Sequence, residues 1–152
     1  MPIDIAALKT ELQLPAYAQA LANGDVGTLA EMLNAVSDAI VIPRGDIGRQ
    51  KSIEILAPVI ITLLQQTANP DPVISGNAKF WLGAYDRLIA PIEIVHTSAL
   101  LVIGMMDNLR DQGFMTQAQH DEFLTRTGSR CEQMFGAGET VNMADVIESL
   151  RP

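Results

Sequence analysis

The chain has 152 residues, 48% of them hydrophobic and only 18% charged, with a mean hydropathy slightly above zero. That composition excludes a disordered chain and is enough to build a core in one domain, expected to span residues 1–152. Eighteen acidic residues against ten basic ones leave a net charge of −8, without the basic footprint that nucleic acid or an anionic membrane requires.

The apolar excess points to some surface covered by a partner or a second copy. Cys131 is the only cysteine, so no internal disulfide can form and a reducing compartment is compatible. Met1-Pro2-Ile3-Asp4 has no basic run, so no signal peptide is expected. The longest uncharged run, residues 94–106, includes His96, Thr97 and Ser98. It falls short of the ~20 apolar residues of a membrane helix.

In chain order, Pro2 can open a helix whose Ile5, Leu8 and Leu12 recur on one face, and Pro15 ends it. A short helix over 16–22 stops at Asn23-Gly24. Thr28 and Glu31 have the spacing of a capping box and open a third helix through Leu33. Ala39-Ile40-Val41-Ile42 is rich in β-branched residues, but no second strand stands out to pair with it. An extended apolar connector is expected there.

Residues 44–48 read as a turn, followed by a helix over 49–66 with Ile53, Leu56, Ile60, Leu63 and Leu64 as its core stripe. Pro58 should kink or split it. Asn69-Pro70-Asp71-Pro72 is the clearest loop. The next helix, from about 75 to 88 or 90, carries Phe80, Trp81 and Tyr85 and is stopped by Pro91. Residues 91–96 read as an apolar linker.

Residues 97–112 are expected to form the central helix, capped by Thr97 and Ser98 and closed by Gly113. No face of 99–106 carries a charge, which predicts burial all round. From Asp107 the helix becomes polar. Thr116 with Gln119, and Ser129 with Glu132, are two further capping boxes, opening helices to about Thr125 and Phe135, with Gly128 as separator. Residues 136–138 form a bend. Asn142 caps a last helix over 143–150 that turns Val146, Ile147 and Leu150 inward. The expected fold is all-α, an irregular multi-helix bundle around a buried central helix, with no significant sheet.

Gly24-Asp25-Val26-Gly27 and Gly45-Asp46-Ile47-Gly48 resemble each other. Two similar helix-entry turns account for this better than a duplicated anion-binding turn, because nothing else in the segments repeats.

Chemistry-bearing residues are sparse. His96 and His120 lie 24 positions apart, and no His, Cys, Asp or Glu set has metal-ligand spacing. His120-Asp121-Glu122 suits the first turn of a helix, and His96 reads as a cap or interface residue. Asp107 and Asp111 could do acid–base work only in a cleft, and a solvated helix end is the simpler reading. Ser98 and Ser129 lack a nucleophile-elbow pattern. Gly136-Ala137-Gly138 lacks the preceding strand of a dinucleotide loop. Cys131 reads as a small buried hydrophobe. Thus no catalytic, cofactor or metal residue is expected. Arg44, Arg49 and Lys51, flanked by Asp46, form the densest basic cluster. Together with exposed members of Phe80, Trp81 and Tyr85 they are the candidate interface. Met105, Met106 and Met115 add adaptable apolar area.

Leu109-Arg110-Asp111-Gln112-Gly113-Phe114-Met115-Thr116-Gln117-Ala118-Gln119 reads as a helix, a glycine and a capped second helix. It is followed by Ser129-Arg130-Cys131-Glu132-Gln133-Met134-Phe135-Gly136-Ala137-Gly138-Glu139-Thr140-Val141 and Asp145-Val146. This resembles small helical proteins of tailed bacteriophages and prophages, in which Ser-Arg-Ala-Glu-x-Leu/Phe-Gly leads into a threonine-valine turn and a closing helix. Residues 17–35, with Leu33-Asn34-Ala35, are similar to theirs as well, and 46–95 match only loosely. Cys131 stands where alanine is expected. The resemblance implies a phage protein with a structural, virion- or tail-associated accessory role, acting by contact with other phage structural proteins or with itself as a homo-oligomer. Its location would be the virion or the host bacterial cytoplasm. A phage protein that binds and inhibits a host factor is the alternative, and a small carboxylate hydrolase ranks below both. Neither nucleic acid nor membrane is an expected partner.

Overall fold

The computed structural model describes residues 2–152. In chain order, the helices are α1 (Ile5–Leu12), α2 (Ala18–Ala22) and α3 (Val26–Asn34), with a single 3-10 turn at Pro15–Tyr17 before α2. Strands β1 (Val36–Pro43) and β2 (Asp46–Gly48) precede α4 (Arg49–Gln66) and α5 (Pro72–Leu88). Then come β3 (Ile94–His96), α6 (Leu100–Asp111), α7 (Gln117–Leu124), β4 (Thr125–Ser129), α8 (Arg130–Phe135) and α9 (Met143–Ser149). The protein is mostly helical, 62% helix against 13% strand, with two small two-stranded sheets. These residues form two compact units, Met1–Ile42 with Thr127–Pro152, and Pro43–Arg126.

In the first unit, Asp4 caps α1 by accepting from the Ala7 N–H at 3.0 Å. Leu8 and Leu12 are buried and Ile5 is half-buried. The cap of α3 is Asp25 rather than Thr28. The Asp25 carboxylate accepts from the Thr28 N–H (3.0 Å) and hydroxyl (2.8 Å), so the helix begins two residues before the expected cap. A carboxylate at this position satisfies the early N–H groups and also meets the positive end of the helix dipole. Asn34 then mimics a strand rung: its Nδ2 donates to Val141 O (2.7 Å) and its Oδ1 accepts from Val141 N (2.9 Å). Leu8, Leu12, Leu29, Leu33, Cys131 and Val146 are the fully buried residues of this core. On α9 only Val146 of the three expected residues is buried, while Ile147 and Leu150 are 49% and 38% exposed.

The expected connector at 39–42 belongs to β1, and its partner is β4. Gly128 lies within that strand, which separates α7 from α8. A Cβ on Gly128 would stand 2.7 Å from Ile42 Cδ1, so close strand approach explains the glycine.

In the second unit, α4 continues through Pro58 as one helix. Its buried stripe is Ser52, Ile55, Leu56, Val59 and Leu63, leaving Ile53 and Leu64 exposed, contrary to the expected stripe. The expected turn at 44–48 and linker at 91–96 contain β2 and β3, paired antiparallel with Asp46 opposite His96, Ile47 opposite Val95 and Gly48 opposite Ile94. The central pair, Ile47 and Val95, is buried, as the two-residue period requires.

Helix α6 starts at Leu100, and Ala99 occupies its N-cap without a side-chain hydrogen bond. Only Met105, Met106 and Leu109 are buried along it, whereas Leu100 is 87% and Leu101 64% exposed. The helix expected to be buried all round therefore packs one face and leaves its apolar start in solvent. The fully buried centre of this unit joins Met106 and Leu109 of α6 to Leu56, Val59, Leu63, Ala78 and Phe123.

Candidate functional site

Two apolar grooves flank the exposed start of α6. One, about 320 Å³, runs between Leu101 and Val102 of α6 and Ile89, Ile92 and Ile94. The other, about 300 Å³, runs between Leu100, Leu101 and Gly104 of α6 and Phe80, Trp81 and Leu88 of α5. Leu101 borders both. No Asp, Glu, Lys or Arg lines either groove. Five large apolar side chains, Phe80, Ile92, Ile94, Leu100 and Leu101, are 41–87% exposed around them.

Local structure sets this arrangement. Asp71 caps α5 with Pro72 in its first turn, and positions 80, 81, 84 and 88 then share one side of the helix. Phe80 and Trp81 meet edge to face, ring centroids 4.8 Å apart. The Trp81 indole N–H donates to Gln112 Oε1 at 2.9 Å, so its polar end is satisfied while its ring faces the groove. In β3, Val95 points into the core while Ile94 and His96 are exposed. His96 Nδ1 lies 2.6 Å from Asp46 Oδ1 across the two-stranded sheet.

Of the expected interface residues, Phe80 is on this face and 59% exposed, Trp81 is half-buried, and Tyr85 packs against the core. Met105, Met106 and Met115 are buried. The basic residues are dispersed in role. The Arg44 main-chain N–H donates to Leu124 O (2.8 Å) and its guanidinium donates to Glu122 O, with burial pulling its pKa down. Lys51 Nζ lies 3.5 Å from Glu122 Oε1. Arg49 is exposed, its N–H donating to Glu93 O.

Sequence reasoning overlooked a second polar centre. His120 is only 8% exposed, with Nε2 2.7 Å from Asp107 Oδ1 and Nδ1 3.0 Å from Asp121 Oδ1. Gln117 also donates to Asp121 at 2.7 Å, and the hydrogen bonds from His120 and Gln117 hold the Asp121 carboxyl below the usual range. Arg110 lies 3.3 Å from His120 Nε2 and pairs with Asp111 at 3.0 Å. Both imidazole nitrogens are thus occupied: Nε2 joins α7 to Asp107 on α6, and Nδ1 is held by Asp121 within α7. The i, i+3 placement of Gln117 and His120 was the available signal; the meeting with Asp107 depends on how the two helices fold back.

Cys131 is fully buried, and burial pushes its thiol up to about 11, leaving it a thiol rather than a thiolate nucleophile at neutral pH. Among the described residues, no group of three or more His, Cys, Asp or Glu could hold a metal ion, and no helix is long and apolar enough to cross a membrane. No protein-family model, curated protein or solved structure matches the chain.

Proposed function

We propose that the protein is a non-enzymatic structural or accessory component of a tailed phage, and that it works through protein–protein contact, with a second copy of itself on the α5–β3–α6 face. The observation that carries this reading is the exposed start of α6. Leaving Leu100, Leu101, Ile94 and Phe80 in water forgoes ~1.5–3 kcal/mol for each side chain that a partner could bury fully. A monomer gains nothing from that exposure.

Three features favour a second copy as the occupant. The Leu100–Leu101 ridge stands beside grooves of its own size, so two copies related by a twofold axis can exchange ridge for groove. The groove linings hold no acidic or basic residue, so the net charge of −8 does not oppose contact at the centre. An apolar centre with His96 and Asn108 at its margin also matches the anatomy of interfaces that take ~800 Å² from each partner. The phage setting rests on the resemblance of residues 17–35 and 97–151.

Light scattering of the purified protein tests the reading. A stable dimer or larger assembly that Leu100→Asp and Leu101→Asp together convert to a folded monomer is the expected result. A wild-type monomer at high micromolar concentration would overturn self-association. It would direct attention to a different partner, a host factor included.

A further inference from the structure

Helix α4 carries no charged residue from Ile55 to Gln66, yet only one of its sides is covered. Ser52, Ile55, Leu56, Val59 and Leu63 pack inward. On the opposite side Ile53, Ile61 and Leu64 are 43–57% exposed, and Ala57 is exposed with them. At 3.6 residues per turn these four positions fall within about 80° of arc. A helix that is apolar all round is normally covered all round. None of the four lines either groove beside α6, so this seam is a separate surface of the same unit.

Three features define what covers it. The seam has the spacing of a helix–helix contact: Ala57, Ile61 and Leu64 recur four and three residues apart, and the small Ala57 lets a second helix come close. The charges of α4, on Arg49, Lys51 and Glu54, are confined to its first two turns. There Glu54 accepts from Gln50 Nε2 at 3.1 Å, and Lys51 lies 3.5 Å from Glu122. An identical helix laid antiparallel sets this charged start against the other's uncharged end, whereas a parallel one would face Arg49 with Arg49. The third feature is size. From Ile53 to Leu64 the seam is about 17 Å long and one helix, ~10 Å, wide. That is well short of the ~800 Å² that each partner gives to a stable complex. One seam is too small to hold two free monomers, but a dimer offers it twice.

We propose that the outer side of α4 is a second self-contact, in which α4 of one dimer packs antiparallel on α4 of another and joins dimers into larger assemblies. This rests on the α5–β3–α6 contact proposed above, which supplies the dimer. With two separate twofold contacts, each copy has two different neighbours, and assembly passes beyond a pair.

Sedimentation of the full chain over a concentration series tests the seam. Wild type, Ile61→Glu with Leu64→Glu, and Leu100→Asp with Leu101→Asp are compared. Wild type should pass from dimer to a tetramer or larger species as concentration rises. The glutamate variant should keep its helicity and its dimer, and should need a concentration about ten-fold higher or more to form the larger species. The aspartate variant should be a monomer, because a lone seam is too small. A wild type that stays a dimer at the highest concentration would overturn the seam and leave the α6 contact standing. So would a larger species that the glutamates leave unchanged. A wild-type monomer would remove both contacts. A monomeric glutamate variant beside an aspartate variant that still dimerises would support the seam and remove the α6 contact. Should the glutamate variant unfold, Ile61→Cys decides. Cys131 is fully buried, so mild oxidation links copies through position 61 if the seams meet. Copies that stay unlinked would overturn the proposal.

Discussion

The two units solve the same packing problem with opposite surfaces. The first carries nine acidic residues against three basic ones, and the second nine against seven. In the first, polar side chains close the structure. Arg130 forks onto Glu11 at 2.7 and 2.8 Å, the Tyr17 hydroxyl donates to the same carboxylate at 3.0 Å, and Asn34 clamps Val141. Its groove, beside α3 and α9, carries Glu31, Asn34 and Asn142. In the second unit the grooves carry no charged residue, and the exposed residues beside them are large and apolar. A region finished by specific polar locks is built to stand in water. A region that leaves Leu100 and Leu101 outside its own core offers the face on which the proposed self-contact rests. The near balance of charge in the second unit fits this, because a strongly acidic face would repel its own copy.

The largest effects should come from the cores, and they separate the units. Phe123→Ala removes a fully buried ring and should destabilise the second unit by ~3–5 kcal/mol. Trp81, the only tryptophan, lies in this unit, so denaturant unfolding followed by its fluorescence reads the change there directly. Leu29→Ala in the first unit should cost ~2–5 kcal/mol in global helicity. If it shifts the Trp81 transition by the same amount, the two units unfold as one. If it does not, the comparison sharpens into two separable stabilities.

Next in size is the lock of the first unit. Arg130→Met leaves the Glu11 carboxylate, 6% exposed, without its counterion. A fully buried pair broken this way costs ~3–5 kcal/mol; Arg130 is 37% exposed, so ~2–3 kcal/mol is expected. The hydrogen bond from Arg130 holds the Glu11 carboxyl below its ordinary value, with burial opposing it. A carboxyl lowered on folding stabilises above the unfolded carboxylate range and loses that contribution as pH falls through the folded value. Wild type should therefore lose stability on acidification more steeply than Arg130→Met, as thermal melts between pH 7 and pH 3 would show.

Alkaline pH should act on the same unit. Burial raises the Tyr17 hydroxyl to about 12 and the Cys131 thiol to about 11. Each must stay protonated in the fold, so its contribution is complete below the unfolded pKa and is lost as pH rises through the folded one. The window opens near 9 for Cys131 and near 10 for Tyr17. Cys131→Ala should flatten the thiol part of the decline, on the order of 1–2 kcal/mol by pH 11. Helicity melts at pH 8, 10 and 11 check this. An equal decline in both proteins would count against burial as the cause.

What could be read from sequence follows the range of the interactions. The capping boxes of Thr116 and Ser129 and the cap at Asn142 are present as expected, because each joins a side chain to a backbone N–H three residues away; that Asn142 also forms a box, with Asp145, goes beyond the expectation. At α3 the box expected at Thr28 is not the cap; Asp25 takes that place and accepts from both groups of Thr28. Pairing of β1 with β4 was not legible, since Thr-Arg-Thr-Gly-Ser shows no hydrophobic alternation and its partner is remote in the chain. The Glu11–Arg130 lock spans 119 positions and left no local trace. For α6 the pattern was read correctly as apolar, yet an apolar stretch records that water should be excluded and not which chain excludes it. Adjacent Leu100 and Leu101, directly after an N-cap without a side-chain hydrogen bond, are the residues left exposed, while Met105, Met106 and Leu109 are buried.

The smallest expected change in stability makes the sharpest test of the comparison. Leu100→Ser replaces a side chain that is 87% exposed, so the unfolding free energy of the monomer should change by less than ~0.5 kcal/mol. The same change at a self-associating face removes one of its apolar anchors and should weaken assembly by ~1–2 kcal/mol per site, roughly ten-fold in the dissociation constant. Ile147→Ser, on α9 of the first unit and 49% exposed, is the matched control. It should leave both quantities unchanged. Sedimentation of the three proteins over a concentration series separates the outcomes. Dissociation confined to Leu100→Ser assigns the covered surface to the second unit. A loss of assembly in Ile147→Ser alone would move that surface to the first unit and reverse the contrast drawn between them.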